Sequence, residues 1–209
     1  MINWTFEAGL KTSADLVQVA TDSNKIYDLF SNGNAVMTAS NHISGTDRVF
    51  EAVSEINLND NDVIINIQGD EPFIDPEDIN NLFNLISKEE ISMATLYSDS
   101  KSLSELEDLN IVKVKVDNGI ALNFFREASK KENVFIHQGI YAFKYKTLKN
   151  FVSWEPSDNE KKYKLEQLRA LDNGVKINAI KSVSKIHLGV DTEEDLKKAN
   201  EIAKEDRYK

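Results

Sequence analysis

The chain has 209 residues, 41% of them hydrophobic, with a formal net charge of −10 and no cysteine. We expect one domain over residues 1–209, and the acidity argues against a nucleic-acid or anionic-membrane partner, since both need clustered lysine and arginine. With no disulfides, no apolar run that could span a membrane and no signal-peptide pattern, we expect a cytoplasmic protein.

Helix and strand patterns alternate through the first half of the chain. The patterns predict helices over 3–12, 23–31 and 43–56, and strands over 14–22, 35–38 and 62–67. Asp75 as N-cap and Pro76 at the first helical position open a further helix. Its apolar residues recur every three or four positions, which is typical of a helix with one buried face.

The second half continues this alternation around one hairpin. Strands are predicted over 91–96, 140–144 and 175–180, and a hairpin over 111–126 with Asn118-Gly119 at its turn. Ser157 and Glu160 form a capping box that opens a helix extending to residue 173, and a last helix covers 192–204. The alternation predicts an α/β fold with a mostly parallel sheet and a small antiparallel insert.

The strand over 62–67 ends in Gln68-Gly69-Asp70-Glu71. Ligands of open parallel sheets bind beyond the carboxyl ends of the strands, where Gly69 would let the backbone approach a ligand. Asp70 would offer it a carboxylate of the kind that Mg²⁺ prefers. The alternative is an ordinary loop whose carboxylates cap the following helix.

A second carboxylate, Asp191, also follows a short apolar run and precedes a helix. It too can be explained as a helix cap, together with Thr192. Two strand-end carboxylates can, however, hold one metal ion between them, and a metal that bridges phosphates neutralises charge in an in-line displacement.

Three further segments offer binding groups. Ser44-Gly45-Thr46 at a helix start presents backbone N–H groups to an anion or a base edge. Arg126 follows the hairpin and can bind a carboxylate through two hydrogen bonds, and His137 directly precedes a strand. Taken singly, each also fits a structural role: a capped helix, a solvated arginine and a buried histidine.

Eight motifs in one order give a specific resemblance. They are ATD (20–22), MTASNHISGTDR (37–48), NIQGDEP (66–72), MATL (93–96), NFFR (123–126), HQGIY (137–141), WEPSDNEKKYKLEQLR (154–169) and GVDTEEDL (189–196). On these motifs the chain resembles the 3-deoxy-manno-octulosonate (Kdo) cytidylyltransferases, also called CMP-Kdo synthetases, over essentially its whole length.

The resemblance implies a Rossmann-like fold of the nucleotide-diphospho-sugar transferase type and a magnesium-dependent reaction. The anomeric hydroxyl of Kdo attacks the α-phosphate of CTP, so that CMP-Kdo forms for lipopolysaccharide biosynthesis and pyrophosphate leaves. The resemblance also implies a homodimer, built partly from the insert over about 111–150 and from the 154–173 region.

The resemblance also assigns roles to residues. Asp70 and Asp191 correspond to the magnesium ligands, and Arg126 is the expected partner of the Kdo carboxylate. The remaining residues are expected to contact the substrates: His42, Ser44 and Gly45 lie by the cytosine, and Gln68, His137, Tyr141, Glu166 and Gln167 lie by the sugar acid.

The chain departs from the family pattern in two places. It lacks the first strand and the loop of type R-x-x-S-x-R-L-P-G-K, which binds the outer phosphates of CTP, and the segment after Arg126 (127–134) is short and polar. A start upstream of Met1 would explain the first departure. The alternatives are a truncated, catalytically impaired homologue, or activation of a related sugar acid such as 8-amino-Kdo.

Overall fold

The computed structural model describes residues 1–30, 33–100, 102–127, 132–184, 186 and 188–204. Parts of three predicted segments lie outside these ranges. They are the last residue of the predicted helix over 23–31, residues 128–131 of the polar segment after Arg126, and residue 187 before the G-V-D-T motif.

The described strands form two sheets. The strands are β1 (Val19–Thr21), β2 (Ala35–Met37), β3 (Val63–Asn66), β4 (Met93–Ser98), β5 (Lys113–Asp117), β6 (Ile120–Phe125), β7 (Val134–Lys144) and β8 (Ile177–Lys181). β1 and β2 pair in parallel, and the other six strands follow the order β3-β7-β4-β8-β6-β5. The start of β7 also pairs with β5, so the long β7 contacts three neighbouring strands.

Helices connect most of these strands. They are α1 (Ile2–Leu10), α2 (Asn24–Tyr27) with a 3₁₀ turn at Asp28–Phe30, α3 (Gly45–Ser54), α4 (Pro76–Ile86), α5 (Leu103–Glu107), α6 (Tyr145–Ser153), α7 (Asp158–Tyr163), α8 (Gln167–Asp172) and α9 (Glu193–Ala203). Of these, α5 and α6 were not predicted. α6 follows β7 directly, and its N-cap Lys144 makes no side-chain capping bond, so the sequence carries no start signal there.

Two helices begin directly after a capping residue that the sequence predicts. The Asp75 carboxylate accepts a hydrogen bond from the Glu77 N–H at 2.9 Å, and Pro76 occupies the first turn of α4. Ser157 and Glu160 form the predicted capping box of α7. These caps satisfy backbone N–H groups that have no partner inside the helix, which explains why they locate helix starts.

The prediction of one helix from residue 157 to 173 is wrong. Lys164 adopts a left-handed conformation with φ 54°, which ends α7 and lets α8 begin three residues later. Nine residues of continuous helix would separate positions 160 and 169 by about 13.5 Å along the axis. The break instead brings Arg169 Nη2 within 2.6 Å of Glu160 Oε1, and both side chains are buried.

The α/β class is confirmed, with two changes of detail. β3, β4, β5 and β8 run in one direction, as a mostly parallel arrangement requires, but β7 lies antiparallel between β3 and β4. The predicted hairpin forms, with positive φ at Asn118 and Gly119, as its turn type requires. The hairpin is not a separate insert, because β6 pairs with β8 and β5 with β7.

Apolar side chains cover both faces of the larger sheet. On one face, Leu148 and Phe151 of α6 pack with Phe143 of β7 and with α8. On the other face, Leu82 and Ile86 of α4 pack against Ala94, Leu96 and Ile140. Among the described strands, β1 pairs only with β2, and β3 pairs only with β7. A sheet lacking its first strand is expected to show two such edges.

Candidate active site

The loop after β3 and the segment before α9 meet at one edge of the sheet. The Val190 N–H donates a 2.9 Å hydrogen bond to the backbone carbonyl of Asp70. Val190 is itself buried and packs with Phe73 of the loop after β3 and with Ala199 of α9. This contact joins the two segments that carry Asp70 and Asp191, although the two residues are far apart in the sequence.

A buried carboxylate holds the connection that leads to Asp191. Asp78, near the start of α4, is fully buried and accepts hydrogen bonds from the Val183 N–H at 2.8 Å and from the Ser182 and Ser184 hydroxyls at 2.6 and 2.7 Å. Because these groups follow β8 directly, Asp78 anchors the chain between β8 and α9 to the helix that follows Asp70.

Three carboxylates at this edge, those of Asp70, Glu71 and Asp191, interact electrostatically. Burial, with a smaller contribution from the charge of Asp191, raises the pKa of Asp70. Burial and the charges of Asp70 and Asp191 raise the pKa of Glu71 to about 7. No cation is among the causes of either shift, so a cation held between the carboxylates would be stabilised.

Asp70 and Asp191 offer oxygen donors that could hold a divalent cation. Carboxylate oxygens are the hard ligands Mg²⁺ prefers, and it typically takes only one or two of them from a protein. Within the described residues, no group of three His, Cys, Asp or Glu side chains has metal-binding geometry.

A cavity of about 1270 Å³ opens onto these carboxylates. Among the predicted site residues, those that line it are Ser44, Gly45, Gln68, Asp70, Arg126, His137, Tyr141, Glu166, Gln167 and Asp191. They come from six separate stretches of the chain. The cavity is large enough for a nucleotide together with a second small substrate.

At one end of the cavity, the start of α3 meets the break between α7 and α8. The Thr46 hydroxyl donates a 2.9 Å hydrogen bond to Glu166, whose pKa burial raises. The Ser44 hydroxyl donates to Asp47 at 2.7 Å, and Asp47 in turn contacts Arg169 at 3.4 Å. The break at Lys164 is therefore what places Glu166 beside the helix start.

Arg126 and Gln68 also line the cavity. Arg126 Nη1 donates to the carbonyls of Leu109 and Asn110, each at 3.1 Å, which holds the guanidinium in place. A carboxylate would then pair with the Nε and Nη2 edge of that group. Gln68 packs on Gly139, where a Cβ atom would lie 3.2 Å from its amide nitrogen.

Comparison with known proteins places the chain in a family. The model of the family described as "Cytidylyltransferase" matches residues 1–177. The chain is 36% identical to the 3-deoxy-manno-octulosonate cytidylyltransferase of Photobacterium profundum over 97% of its own length and 88% of the relative's. It is 38% identical to the enzyme of the same name from Francisella tularensis subsp. holarctica, over 97% and 87%.

The chain belongs to the 3-deoxy-manno-octulosonate cytidylyltransferase family.

Solved structures agree with this membership. A CTP complex of CMP:2-keto-3-deoxy-manno-octonic acid synthetase superposes with a TM-score of 0.86 at 31% identity, covering 96% of this chain and 86% of the other. The 2-C-methyl-D-erythritol 4-phosphate cytidylyltransferase of Francisella tularensis has a TM-score of 0.66 at 15% identity, with coverage of 95% and 86%, and therefore shares the fold alone.

Two residues that the sequence singled out, His42 and Gly69, have other contacts in the structure. His42 does not line the cavity, because its Nε2 pairs with Glu51, whose carboxylate also accepts from the Ala39 N–H at 3.1 Å. The absent Cβ of Gly69 makes room for α1 rather than a ligand, since a Cβ there would lie 2.9 Å from Ile2. His42 as a cytosine contact stays a prediction.

The structure adds cavity residues that sequence reasoning missed. Glu71 lines the cavity beside Asp70, and its place within the Q-G-D-E-P motif was the signal for it. Lys161 and Lys164, from the basic run over 160–164, also line the cavity. The helix break at Lys164, which the sequence pattern did not show, orients this run.

Proposed function

We propose that this chain transfers the cytidylyl group of CTP to Kdo, giving CMP-Kdo and pyrophosphate. The anomeric oxygen of Kdo bonds to the α-phosphorus of CTP, the bond from that phosphorus to pyrophosphate breaks, and the hydroxyl proton leaves. The observation that carries the proposal is the junction of the Asp70 and Asp191 segments inside the cavity that also contains Arg126. Family membership supports the two substrates.

The chain's own residues bind and orient the two anions. Arg126 pairs with the Kdo carboxylate, and Gln68, His137, Glu166 and Gln167 contact its hydroxyls. The pKa of Tyr141 is raised well above the ordinary value by burial and by the charge of Glu166, so its phenol stays protonated and donates a hydrogen bond. Ser44 and Gly45 contact the cytosine. Positioning of this kind accounts for much of the rate of a bimolecular transfer.

Asp70 and Asp191 are the groups that would hold Mg²⁺. When bound, the ion would neutralise charge on the phosphates and lower the pKa of the attacking hydroxyl. The cytoplasmic location, the homodimer and the single domain expected from the sequence also belong to this proposal. The comparisons give no support for an impaired homologue or for a different sugar acid.

The test is pyrophosphate release from CTP and Kdo in the presence of Mg²⁺. We expect Asp70→Asn and Asp191→Asn each to lower kcat by about 100-fold or more, since each removes one anionic ligand of a charge-stabilising ion. Asp15→Asn is the matched control, because Asp15 is exposed and lies outside the cavity.

Two results would contradict the proposal. Near wild-type activity of Asp70→Asn would show that the metal assignment is wrong. No pyrophosphate release by the unmodified chain, beside an active relative in the same assay, would show that the function is wrong.

A further inference from the structure

The hydroxyl of Thr95 lies among three polar atoms in the interior of the sheet. Thr95 is fully buried in β4, beside the irregularity where the register between β4 and β7 shifts. Its Oγ1 lies 2.8 Å from the Ile140 carbonyl, 3.3 Å from the Gln138 carbonyl and 2.9 Å from His137 Nε2. The shift in register explains why two β7 carbonyls turn towards one side chain.

These contacts determine which nitrogen of the ring carries the proton. A threonine hydroxyl has one hydrogen to donate, and a carbonyl oxygen can only accept. The hydrogen of Thr95 therefore goes to the carbonyls, the nearer being that of Ile140. Its oxygen must then accept from His137, so Nε2 carries a proton.

The other ring nitrogen, Nδ1, is not fully buried. Among the described residues, His137 Nδ1 has no hydrogen-bond partner, and no buried side-chain nitrogen or oxygen is left without one. Nδ1 therefore keeps some solvent exposure, and the His137 side chain lines the cavity. Phe124 and Tyr141 hold the ring, with centroids 4.9 and 5.4 Å from that of His137.

We propose that Thr95 is a positioning residue that fixes His137 in the tautomer with a bare Nδ1, so that this atom accepts a hydrogen bond from a hydroxyl of the bound sugar acid. An Nδ1 without a proton can bind a hydroxyl, but it has nothing to donate to a carboxylate or a phosphate. Thr95 thus gives the pocket a preference for hydroxyl groups at this point. The ligand part of this inference rests on the proposed function, whereas the tautomer does not.

Burial supports a neutral His137 ring independently of these contacts. It lowers the pKa of His137 to about 3, so the ring is neutral at physiological pH and has only one N–H to place. A doubly protonated ring, which would donate from both nitrogens, is excluded under those conditions.

The tautomer is measured directly by nitrogen-15 NMR of the histidine rings in the full chain without substrate. The chain has three histidines, and a His137→Gln variant identifies the signals of His137 by their loss. We expect a protonated Nε2 and a bare Nδ1 in the wild type and in Thr95→Ser, which keeps the hydroxyl. In Thr95→Val, which removes it, we expect the Nδ1-protonated form to appear. The signals of His42 serve as the internal control.

Kinetics test the positioning role. We expect Thr95→Val to raise the KM for Kdo about tenfold with less than a threefold change in kcat, the size of one lost hydrogen bond. Thr95→Ser should restore the wild-type KM. Thermal unfolding checks that both variants are folded. If Thr95→Val does not fold, the comparison of wild type with Thr95→Ser and the ligand titration below still test the proposed tautomer of His137.

A ligand titration tests the hydroxyl preference. Kdo should shift the Nδ1 signal of the wild type. Pyruvate, a 2-keto acid that carries no hydroxyl group, should not shift it. An equal shift with pyruvate would overturn the hydroxyl assignment. An Nδ1-protonated ring in the active wild-type enzyme would overturn the inference while the proposed function stood. The expected tautomer in a chain that releases no pyrophosphate would support the inference and count against the proposed function.

Discussion

At the scale of single residues, burial decides the protonation of His137. Its ring is packed between Phe124 and Tyr141 and is only 9% exposed. Removing the charged form from water is costly, and Thr95 provides no charge to offset that cost. His137 is therefore suited to hydrogen bonding in its neutral form, and not to carrying a positive charge towards the phosphates.

The pH dependence of stability should show this burial. The pKa of His137 is about 3 in the folded chain, against an ordinary value near 6.5, so between these values the unfolded chain binds one proton more. The buried, neutral ring of His137 therefore contributes to the free energy of unfolding above pH 6.5, and this contribution is lost as the pH falls from 6.5 towards about 3. From pH 7 to pH 5 the expected loss is about 2 kcal/mol.

Denaturant unfolding at pH 5, 6, 7 and 8 checks this expectation. His137→Gln should lose less stability than the wild type over the same range, because glutamine takes up no proton. Parallel pH profiles of the two proteins would show that His137 does not have the lowered pKa.

At the scale of elements, the break between α7 and α8 organises one end of the cavity. Arg169, at 1% exposure, bonds to Glu160 at 2.6 and 2.8 Å and lies over the ring of Phe151. It also contacts Asp47 of α3 at 3.4 Å. One guanidinium on α8 thus joins that helix to α3, α6 and α7. Glu166 is the N-cap of α8 and Ser44 is the N-cap of α3. The L-E-Q-L-R motif combines a cavity-lining residue, Glu166, with the side chain that supports its position, Arg169.

Replacing Arg169 should destabilise the fold strongly. Arg169→Met leaves the Glu160 carboxylate buried and unpaired, and we expect a loss of about 3–5 kcal/mol in denaturant unfolding. The matched control is Lys149→Met, which breaks the exposed ion pair with Asp60 and should cause no measurable change. The double variant Arg169→Met/Glu160→Met should recover part of the loss. A single-variant loss as small as that of the control would contradict this account.

At the scale of the whole molecule, the sheet brings distant motifs to one cavity. β7 is central to this, since it pairs with β3, β4 and β5 and carries His137 and Tyr141. Across the described residues, no helix combines the length and apolarity that crossing a membrane requires. The proposed homodimer would use exposed apolar side chains in its two predicted regions: Leu122 on β6 is 50% exposed, and Tyr163 at the end of α7 is 44% exposed.

The dimer proposal predicts a mass in solution of twice the chain mass. We expect Leu122→Asp to shift sedimentation towards the monomer, because a charge would be buried at the contact. Leu103→Asp on α5 is the control, since Leu103 is 53% exposed but lies outside both predicted dimer regions. A monomeric wild type, or a dimer that both substitutions leave intact, would contradict the predicted interface.

Local chemistry explains what could be predicted from the sequence. The caps at Asp75 and Ser157 and the Asn118-Gly119 turn act through neighbouring backbone atoms, so their effect can be derived from short stretches. The proximity of Asp70 and Asp191 was inferred by taking both as strand-end residues of one parallel sheet. Only Asp70 follows a strand directly, since among the described residues β8 ends at Lys181 and Asp191 lies in the connection to α9. The family, and with it the candidate substrates, followed from the order of the motifs.

Contacts between distant residues decided the rest. The break at Lys164 depends on Arg169 reaching Glu160 and Asp47, and the bare Nδ1 of His137 depends on where the Ile140 carbonyl lies across the sheet. The sequence by itself therefore determined the family and the candidate site residues. Only the tertiary structure decided which of them meet and in which protonation state, because packing and hydrogen bonding across the sheet set both.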